Sequence, residues 1–145
     1  MVSLQREEFL EHKIKDLLIL ADKVAHVQIG NNLEHALLVL TKTGYTAVPV
    51  LDPYYKLHGL INTTGILDSI LGLERIEFEQ LEKMKVEQVM NKSIPRLNLN
   101  DTLVEGLKLV VDHPFVCVEN NEQVFEGILT RRSILKLLKN DLEKS

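Results

Sequence analysis

Apolar and polar residues alternate in the same way at two places along the chain. The first alternation covers Lys23–Gln28 and the second covers Ile94–Leu99, and each precedes a polar pair and a leucine. An alternation with a period of two predicts a short, half-buried strand. Its return in the second half of the chain indicates an internal repeat.

Each predicted strand is followed by apolar residues at helical spacing. We expect helices over about Leu33–Thr43 and Leu103–Val111. Asn31 has capping-box spacing to Glu34, and Asp101 is its counterpart in the second copy, so these two residues are predicted to cap the helices. The residues on one face of the first helix are Leu33, Ala36, Leu37 and Leu40.

Two more strands and a closing helix complete each copy. The predicted strands are Thr46–Leu51 with Leu57–Ile61, and Phe115–Glu119 with Val124–Leu129. The predicted closing helices are Ile66–Leu71 and Ser133–Leu142, and the predicted helical lead-ins are Ile14–Leu20 and Val86–Met90. The chain therefore contains two βαββα repeats, an α/β (α+β) fold.

The repeats predict the domain organisation. We expect repeat 1 at residues 14–72, a charged linker at 73–84 and repeat 2 at 85–140. A single copy would expose an apolar sheet face, so we expect the tandem βαββα repeats to pack as one module.

Composition and charge limit the classes of protein. The 145 residues are 45% hydrophobic and 26% charged, which is typical of a folded domain, and the net charge is −4. This negative charge disfavours nucleic acids and anionic membranes as partners. Residues Met1–Leu10 contain Glu7 and Glu8 and no apolar stretch, and no apolar run is long enough to span a membrane. We therefore expect a cytoplasmic protein without a secretory signal.

Motifs for catalysis or metal binding are missing from the sequence. Cys117 is the single cysteine, which excludes an intrachain disulfide and a CxxC motif. The five histidines lack metal-ligand spacing, and the chain has no GxSxG elbow, P-loop or Cys/His nucleophile pair. We expect a binding protein without a cofactor or metal, and not an enzyme.

A glycine turn within each repeat adds a family resemblance. Its residues are Gly127-Ile128-Leu129-Thr130 and, in the first copy, Gly59-Leu60-Ile61-Asn62. Together with the βαββα order, this turn resembles that of a pair of CBS domains (the cystathionine β-synthase type), also called a Bateman module. The resemblance covers roughly Ile14–Leu138. It implies an adenosine-containing ligand in a cleft between the repeats, and a homodimer.

Three stretches resemble, more narrowly, the stand-alone bacterial CBS-pair proteins that bind cyclic di-AMP. They are Ala21–Val27, Asn31–Leu37 and Thr130–Arg132. This resemblance implies that cyclic di-AMP is the ligand. It also implies that the ligand-free protein binds a bifunctional (p)ppGpp synthetase/hydrolase, which cyclic di-AMP releases.

The resemblance provides two candidate clefts, each joining the first strand and the pre-strand loop of one repeat to the glycine turn of the other. The candidate ligand-binding residues of the first cleft are Lys23, Val24, Ala25, His26, Tyr45, Thr46, Ala47, Thr130, Arg131 and Arg132, next to Ser133. The second cleft would combine Pro95, Arg96 and Phe115 with Asn62, Thr63, Thr64 and Gly65. We expect the second cleft to be empty or weak, because Arg96 is its only cation.

The first cleft has the chemistry that a cyclic dinucleotide requires. Thr130 lies where a helix should begin, so backbone N–H groups there would attract phosphate. Arg131 and Arg132 would add guanidinium forks that suit phosphate oxygens, and Lys23 would add a third positive charge. For the adenine base, the expected contacts are space beside Ala25, backbone groups of Thr46 and Ala47, and the ring of Tyr45 or His26.

The ribose contacts separate this ligand from AMP and ATP. CBS modules that bind those mononucleotides usually carry an aspartate three residues after the threonine, where this chain has Ser133 and, in the first copy, Gly65. A cyclic dinucleotide has an esterified 3′ oxygen, so it presents no ribose diol for a carboxylate to bind. An AMP/ATP sensor and a ligand-free assembly module stay open as alternatives.

Overall fold

The computed structural model describes residues 10–143. Glu7 and Glu8, on which the expected absence of a secretory signal rests, lie outside the described residues. Two compact units are formed: Ala25–Ile94 make one, and the described residues up to Val24 together with those from Pro95 onward make the other. No helix within residues 10–143 is both long and apolar enough to cross a membrane.

The elements follow the predicted order. They are α1 (Ile14–Leu17), β1 (Ile19–Leu20), β2 (Val27–Gln28), α2 (Leu33–Thr43), β3 (Ala47–Leu51), β4 (Leu57–Asn62), α3 (Thr63–Ile70), α4 (Gln80–Lys83), β5 (Arg96–Asn98), α5 (Leu103–Val110), β6 (Phe115–Glu119), β7 (Phe125–Thr130) and α6 (Arg131–Glu143), with 3₁₀ turns at Ala21–Lys23 and Val86–Gln88. The α/β fold with two repeats is confirmed.

The unit Ala25–Ile94 contains a three-stranded sheet in the order β2-β3-β4. Strand β3 runs parallel to β2 and antiparallel to β4, so a hairpin follows the β2–α2–β3 crossover. Helix α2 buries Leu33, Ala36 and Leu40, as its spacing predicts, while Leu37 is partly buried. The buried core residues are Val27, Leu33, Ala36, Leu40, Val48, Val50, Ile61, Ile66 and Val86.

The other unit repeats this arrangement and adds an edge strand. Its sheet has the order β1-β7-β6-β5, with β5 parallel to β6 and β6 antiparallel to β7. The buried core residues are Ile14, Leu97, Leu103, Val110, Val116, Val118, Leu129 and Ile134. The same sequence pattern has therefore produced the same local fold twice.

The lead-in of each repeat packs in the compact unit of the other repeat. Ile14 is fully buried in the core that contains β7, and Ile19 of β1 pairs with Ile128. Conversely, Val86 is fully buried in the core of Ala25–Ile94, and Asn91 bridges to Leu60. The repeat boundaries at 14–72, 73–84 and 85–140 stay a prediction, and the compact units do not coincide with them.

The glycines of the two predicted turns lie inside strands β4 and β7, where they allow the lead-ins to approach closely. A Cβ at Gly59 would lie 2.5 Å from the carbonyl oxygen of Asn91. A Cβ at Gly127, whose φ is 149°, would collide with the carbonyl oxygen of Ile19. Glycine is needed at both positions because another chain segment passes directly over the strand.

The predicted helix caps are wrong by one residue in both repeats. Asn32 and Thr102 cap α2 and α5, each accepting from the backbone N–H three residues later. The side chains of Asn31 and Asp101 instead accept from the backbone N–H three residues earlier, at 2.8 and 2.7 Å. Asn31 and Asp101 therefore close the turn ahead of the helix, and the residue that follows each provides the cap.

Several predicted bounds also change. The first strands shorten to Val27–Gln28 and Arg96–Asn98, and Lys23 lies in a 3₁₀ turn. The closing helices begin earlier than predicted, at Thr63 and Arg131, because each starts at the residue after its strand ends. The N-terminal lead-in is a short helix followed by β1, while the second is a 3₁₀ turn.

Candidate functional site

The junction between β7 and α6 has the geometry of a capped helix start. The backbone N–H of Ser133 donates to Oγ1 of Thr130 at 3.0 Å, and the two hydroxyl oxygens lie 2.8 Å apart. Thr130 therefore caps α6, as predicted. The hydroxyl of Ser133 is thereby held against the cap residue.

Fewer backbone donors are open at this junction than expected. The N–H of Arg131 donates to the carbonyl of Pro114 at 2.9 Å, and that of Ser133 is used by the cap. Among the first three backbone N–H groups of α6, the structure described for residues 10–143 leaves only that of Arg132 open. The expectation of a group of free N–H donors is corrected to one.

The Arg131 side chain is engaged within its own unit. Its Nε donates to the carbonyl of Val110 at 2.8 Å and an Nη donates to the carbonyl of Val111 at 3.3 Å. These carbonyls lie at the C-terminal end of α5, where an arginine is favoured by the helix dipole. The expectation of a free Arg131 fork is therefore corrected, because two of its N–H groups hold α5.

Arg132 is exposed and belongs to a cationic groove. The groove has a volume of about 470 Å³. Its lining residues are Pro114, Thr130, Arg131, Arg132, Leu135, Lys136 and Lys139. Four cations and no carboxylate line the groove, in a chain whose net charge is −4. This arrangement suits an anionic group beside an apolar one.

Sequence reasoning underrated two of these cations. From the sequence, Lys136 and Lys139 are expected to be surface residues that extend the basic face. In the structure, both line the groove with Arg132. The signal was the spacing of 132, 136 and 139, which places the three side chains on one face of a helix.

The remaining candidate residues divide between the units. Lys23 and Val24 belong to the unit that contains the groove. Lys23 is exposed in its 3₁₀ turn, while Val24 is buried. The other candidates lie in the unit Ala25–Ile94, and they are Ala25, His26, Tyr45, Thr46 and Ala47.

Two of the candidate base contacts in that unit have internal partners. The ring of His26 makes an edge contact with Tyr55 at a centroid distance of 5.2 Å. The carbonyl of Thr46 accepts the N–H of Thr63 at 3.2 Å. Tyr45 is 52% exposed, so its ring is the accessible aromatic surface among the candidates.

The residues of the second predicted cleft carry little uncompensated charge. Arg96 lies 3.2 Å from the carboxylate of Glu119. Asn62 caps α3 by accepting from the N–H of Gly65 at 2.6 Å. The weak binding expected of these residues stays a prediction, and the Arg96–Glu119 ion pair favours it.

The described residues offer no metal centre or activated thiol. No group of three or more His, Cys, Asp or Glu side chains within residues 10–143 is arranged to hold a metal ion. Burial raises the pKa of the Cys117 thiol to about 12, with opposing contributions from Arg96 and Glu119. The thiol is therefore protonated at neutral pH, which fits the predicted core position.

Comparison with known proteins yields close relatives along nearly the whole chain. The chain is 64% identical over 138 residues to cyclic di-AMP receptor B of Bacillus subtilis (strain 168), covering 95% of this chain and 94% of that protein. A crystal structure of a CBS domain-containing protein from Bacillus anthracis is 64% identical, with a TM-score of 0.85 over 93% of this chain and 98% of that one. The crystal structure of Listeria monocytogenes CbpB in complex with c-di-AMP is 54% identical, with a TM-score of 0.84 over 91% of this chain and 98% of that one.

The family model agrees with the internal repeat. The CBS domain model matches residues 14–72 and 86–140. Each match contains one βαββα repeat with its glycine turn. The chain therefore belongs to the CBS domain family and contains a pair of these domains.

Proposed function

We propose that this protein is a cyclic di-AMP receptor that regulates another protein in the cytoplasm, without catalysing a reaction and without a cofactor. The observation that carries the proposal is its 64% identity to cyclic di-AMP receptor B along 95% of the chain. A protein this similar over nearly its whole length has the same fold, so the same class of ligand is favoured.

The groove at the start of α6 supports an anionic dinucleotide. Arg132, Lys136 and Lys139 provide cations on one helix face, and Leu135 provides apolar surface beside them. Each phosphodiester of cyclic di-AMP carries one negative charge, and a guanidinium group can donate two hydrogen bonds to its oxygens. In this proposal Arg132 binds phosphate, while Arg131 holds the helix that presents it.

The same turn disfavours AMP and ATP. A carboxylate that could bind both hydroxyls of a ribose is replaced by Ser133 in the second repeat and by Gly65 in the first. The Ser133 hydroxyl is already within 2.8 Å of the Thr130 hydroxyl. A ligand whose 3′ oxygen is esterified has no need of that carboxylate.

The proposed phosphate contacts, Lys23 and Arg132, come from different repeats but lie in the same compact unit. Lys23→Ala and Arg132→Ala should therefore both weaken the binding of cyclic di-AMP, and an effect of Arg132→Ala alone would limit the phosphate contact to the second repeat. The proposed adenine contacts, Tyr45 and Ala25, belong to the unit Ala25–Ile94.

The regulated protein in this proposal is a (p)ppGpp synthetase/hydrolase, bound by the ligand-free state. Coupling between two ligands is reciprocal, so a target that cyclic di-AMP releases must itself lower the affinity for cyclic di-AMP.

We also propose a homodimer, because the unit with α5 and α6 exposes a set of large apolar side chains that a second copy would bury. They are Leu107, Val111, Leu138 and Leu142.

Calorimetric titration with cyclic di-AMP, AMP and ATP tests the proposed ligand. Cyclic di-AMP should bind most tightly, and Arg132→Ala should weaken it about 10- to 100-fold, or ~1.4–3 kcal/mol. Lys108→Ala is the matched control, since Lys108 is an exposed cation in the same unit that does not line the groove. Tighter binding of a mononucleotide, or equal effects of the two variants, would contradict the proposal.

A further inference from the structure

The segment between α3 and α4 exposes an unusual amount of apolar surface. Four large side chains within eight residues are exposed: Leu71 (58%), Leu73 (107%), Ile76 (44%) and Phe78 (64%). Single exposed apolar residues are common on soluble proteins, whereas adjacent ones are typical of interaction sites. We call residues 71–79 the acidic-apolar segment.

This segment is held in shape by its own backbone. Leu71 and Ile76 form an antiparallel bridge, and the N–H of Gly72 donates to the carbonyl of Arg75 at 2.9 Å. A Cβ at Gly72 would lie 2.9 Å from the same carbonyl oxygen, so the turn depends on glycine. The apolar side chains are therefore displayed by a defined loop.

Carboxylates surround the apolar surface. A groove of about 590 Å³ is lined by Leu71, Gly72, Leu73, Glu74, Arg75 and Glu77. Arg75 makes a salt bridge with Glu79, so the positive charge within the segment is already compensated. Glu82, on α4, adds a further carboxylate close in the chain.

The segment is separate from the repeated framework. Most of it lies between the two family matches, which end at residue 72 and resume at residue 86. It also belongs to a different compact unit from the cationic groove at α6. Its apolar side chains therefore require an explanation other than the CBS fold or the proposed nucleotide contacts.

The negative charge of the acidic-apolar segment indicates which kind of partner could bind there. Anionic lipids and nucleic acids would be repelled by Glu74 and Glu77, together with Glu82 on α4. A second copy seated on the same segment by two-fold symmetry would place these carboxylates against their own equivalents. A helix with lysine or arginine on one face and leucine on the other complements both the groove and its rim.

We propose that the acidic-apolar segment is a docking site for a cationic amphipathic helix of a partner protein. Leu73 and Phe78 contact the apolar face of that helix, and Glu74 and Glu77 bind its cations. The proposal uses the proposed function only in taking this protein to act on another protein. It does not require that the partner be a (p)ppGpp synthetase/hydrolase, or that the nucleotide be cyclic di-AMP.

A labelled peptide of leucine and lysine, about 18 residues long with helical amphipathic spacing, tests the chemistry by fluorescence anisotropy. The full-length protein should bind it, with an affinity that falls as salt is raised. Leu73→Ser, Phe78→Ser and the charge reversal Glu74→Lys should each weaken binding about tenfold. Leu38→Ser is the matched control, because Leu38 is 52% exposed on α2 in the same unit.

Three results would overturn the docking site. The first is that Leu73→Ser and Leu38→Ser bind the leucine–lysine peptide with equal affinity. The second is that a leucine–glutamate peptide binds as tightly as the leucine–lysine peptide. The third is that Leu73→Ser converts a dimer to a lower mass in sedimentation. The last would show that the segment holds a second copy, for example through the cationic face of α6. Calorimetry with cyclic di-AMP separates the two proposals: Leu73→Ser should bind it as the unaltered protein does, and failure of the unaltered protein to bind would contradict only the proposed function.

Discussion

Two adjacent arginines at the start of α6 differ in what they contact. Both line the cationic groove, but Arg131 also donates to the carbonyls of Val110 and Val111. Successive residues on a helix point about 100° apart, so neighbours in sequence face different surroundings. The sequence shows two equivalent cations, and only the fold separates their roles.

This separation predicts opposite outcomes for the two alanine variants. Arg131→Ala removes two charge-assisted hydrogen bonds and should lower the free energy of unfolding by about 1–2 kcal/mol. Arg132→Ala should change it by less than about 0.5 kcal/mol, because the side chain is exposed. Urea unfolding measures both, and an Arg132 variant less stable than the Arg131 variant would contradict these assignments.

At the scale of single elements, the start of α2 shows that capping preferences predict a cap but not which of two adjacent residues provides it. Asn31 and Asn32 are both good cap residues, and propensity alone cannot choose between them. The structure assigns the cap to Asn32, whose Oδ1 accepts the N–H of His35 at 2.9 Å. The backbone turn before α2 decides which of the two side chains reaches the helix.

The cap of α2 can be tested by substitutions that keep or remove the acceptor. Asn32→Ala should lower the free energy of unfolding by about 1 kcal/mol, whereas Asn32→Asp, which keeps a side-chain acceptor, should stay close to the unaltered protein. Urea midpoints provide the comparison. If Asn32→Ala and Asn32→Asp had the same stability, the capping bond would contribute nothing.

The salt bridge in the acidic-apolar segment should make stability depend on acid. The hydrogen bond that Arg75 donates to Glu79 lowers the pKa of the Glu79 carboxyl to about 2, from an ordinary value of 4.5. The stabilising contribution of the ionised carboxylate is therefore complete above about pH 4.5 and is lost as the pH falls towards 2. The bond to His58 lowers the pKa of Asp52 as well, which adds to the loss in acid.

Unfolding measurements at several pH values check this contribution. Glu79→Gln should be less stable than the unaltered protein at pH 7, and the difference should shrink between about pH 4.5 and pH 2. Arg75→Ala is the second arm, because it removes the same hydrogen bond from the other side. A stability difference that stays constant down to pH 2 would show that the salt bridge does not lower the pKa of Glu79 in solution.

At the scale of the whole molecule, each lead-in packs in the compact unit that contains most of the other repeat. Ile14 lies at the start of repeat 1 but is buried with β7, and Val86 lies at the start of repeat 2 but is buried with β3 and β4. Neither βαββα repeat therefore completes its core from its own residues. The isolated segments 14–72 and 85–140 would each expose part of a core.

Amide hydrogen exchange on full-length variants tests whether each lead-in packs in the unit that contains most of the other repeat. Ile14→Ala should cost about 2–5 kcal/mol and should reduce amide protection first in β6 and β7. Val86→Ala should reduce protection first in β3 and β4. If Ile14→Ala instead exposed β3 and β4 while leaving β7 protected, the packing of the N-terminal lead-in would be wrong.

By itself the sequence determined the repeat, the α/β class and the extent of α2. These features follow from periodicity within short windows, where neighbouring residues decide the outcome. Tertiary structure alone decided that Arg131 holds α5 and that the lead-ins are exchanged. Contacts such as Arg131 with Val110, or Ile14 with the core around Leu129, join residues far apart in the chain, and no local pattern encodes which partners they will have.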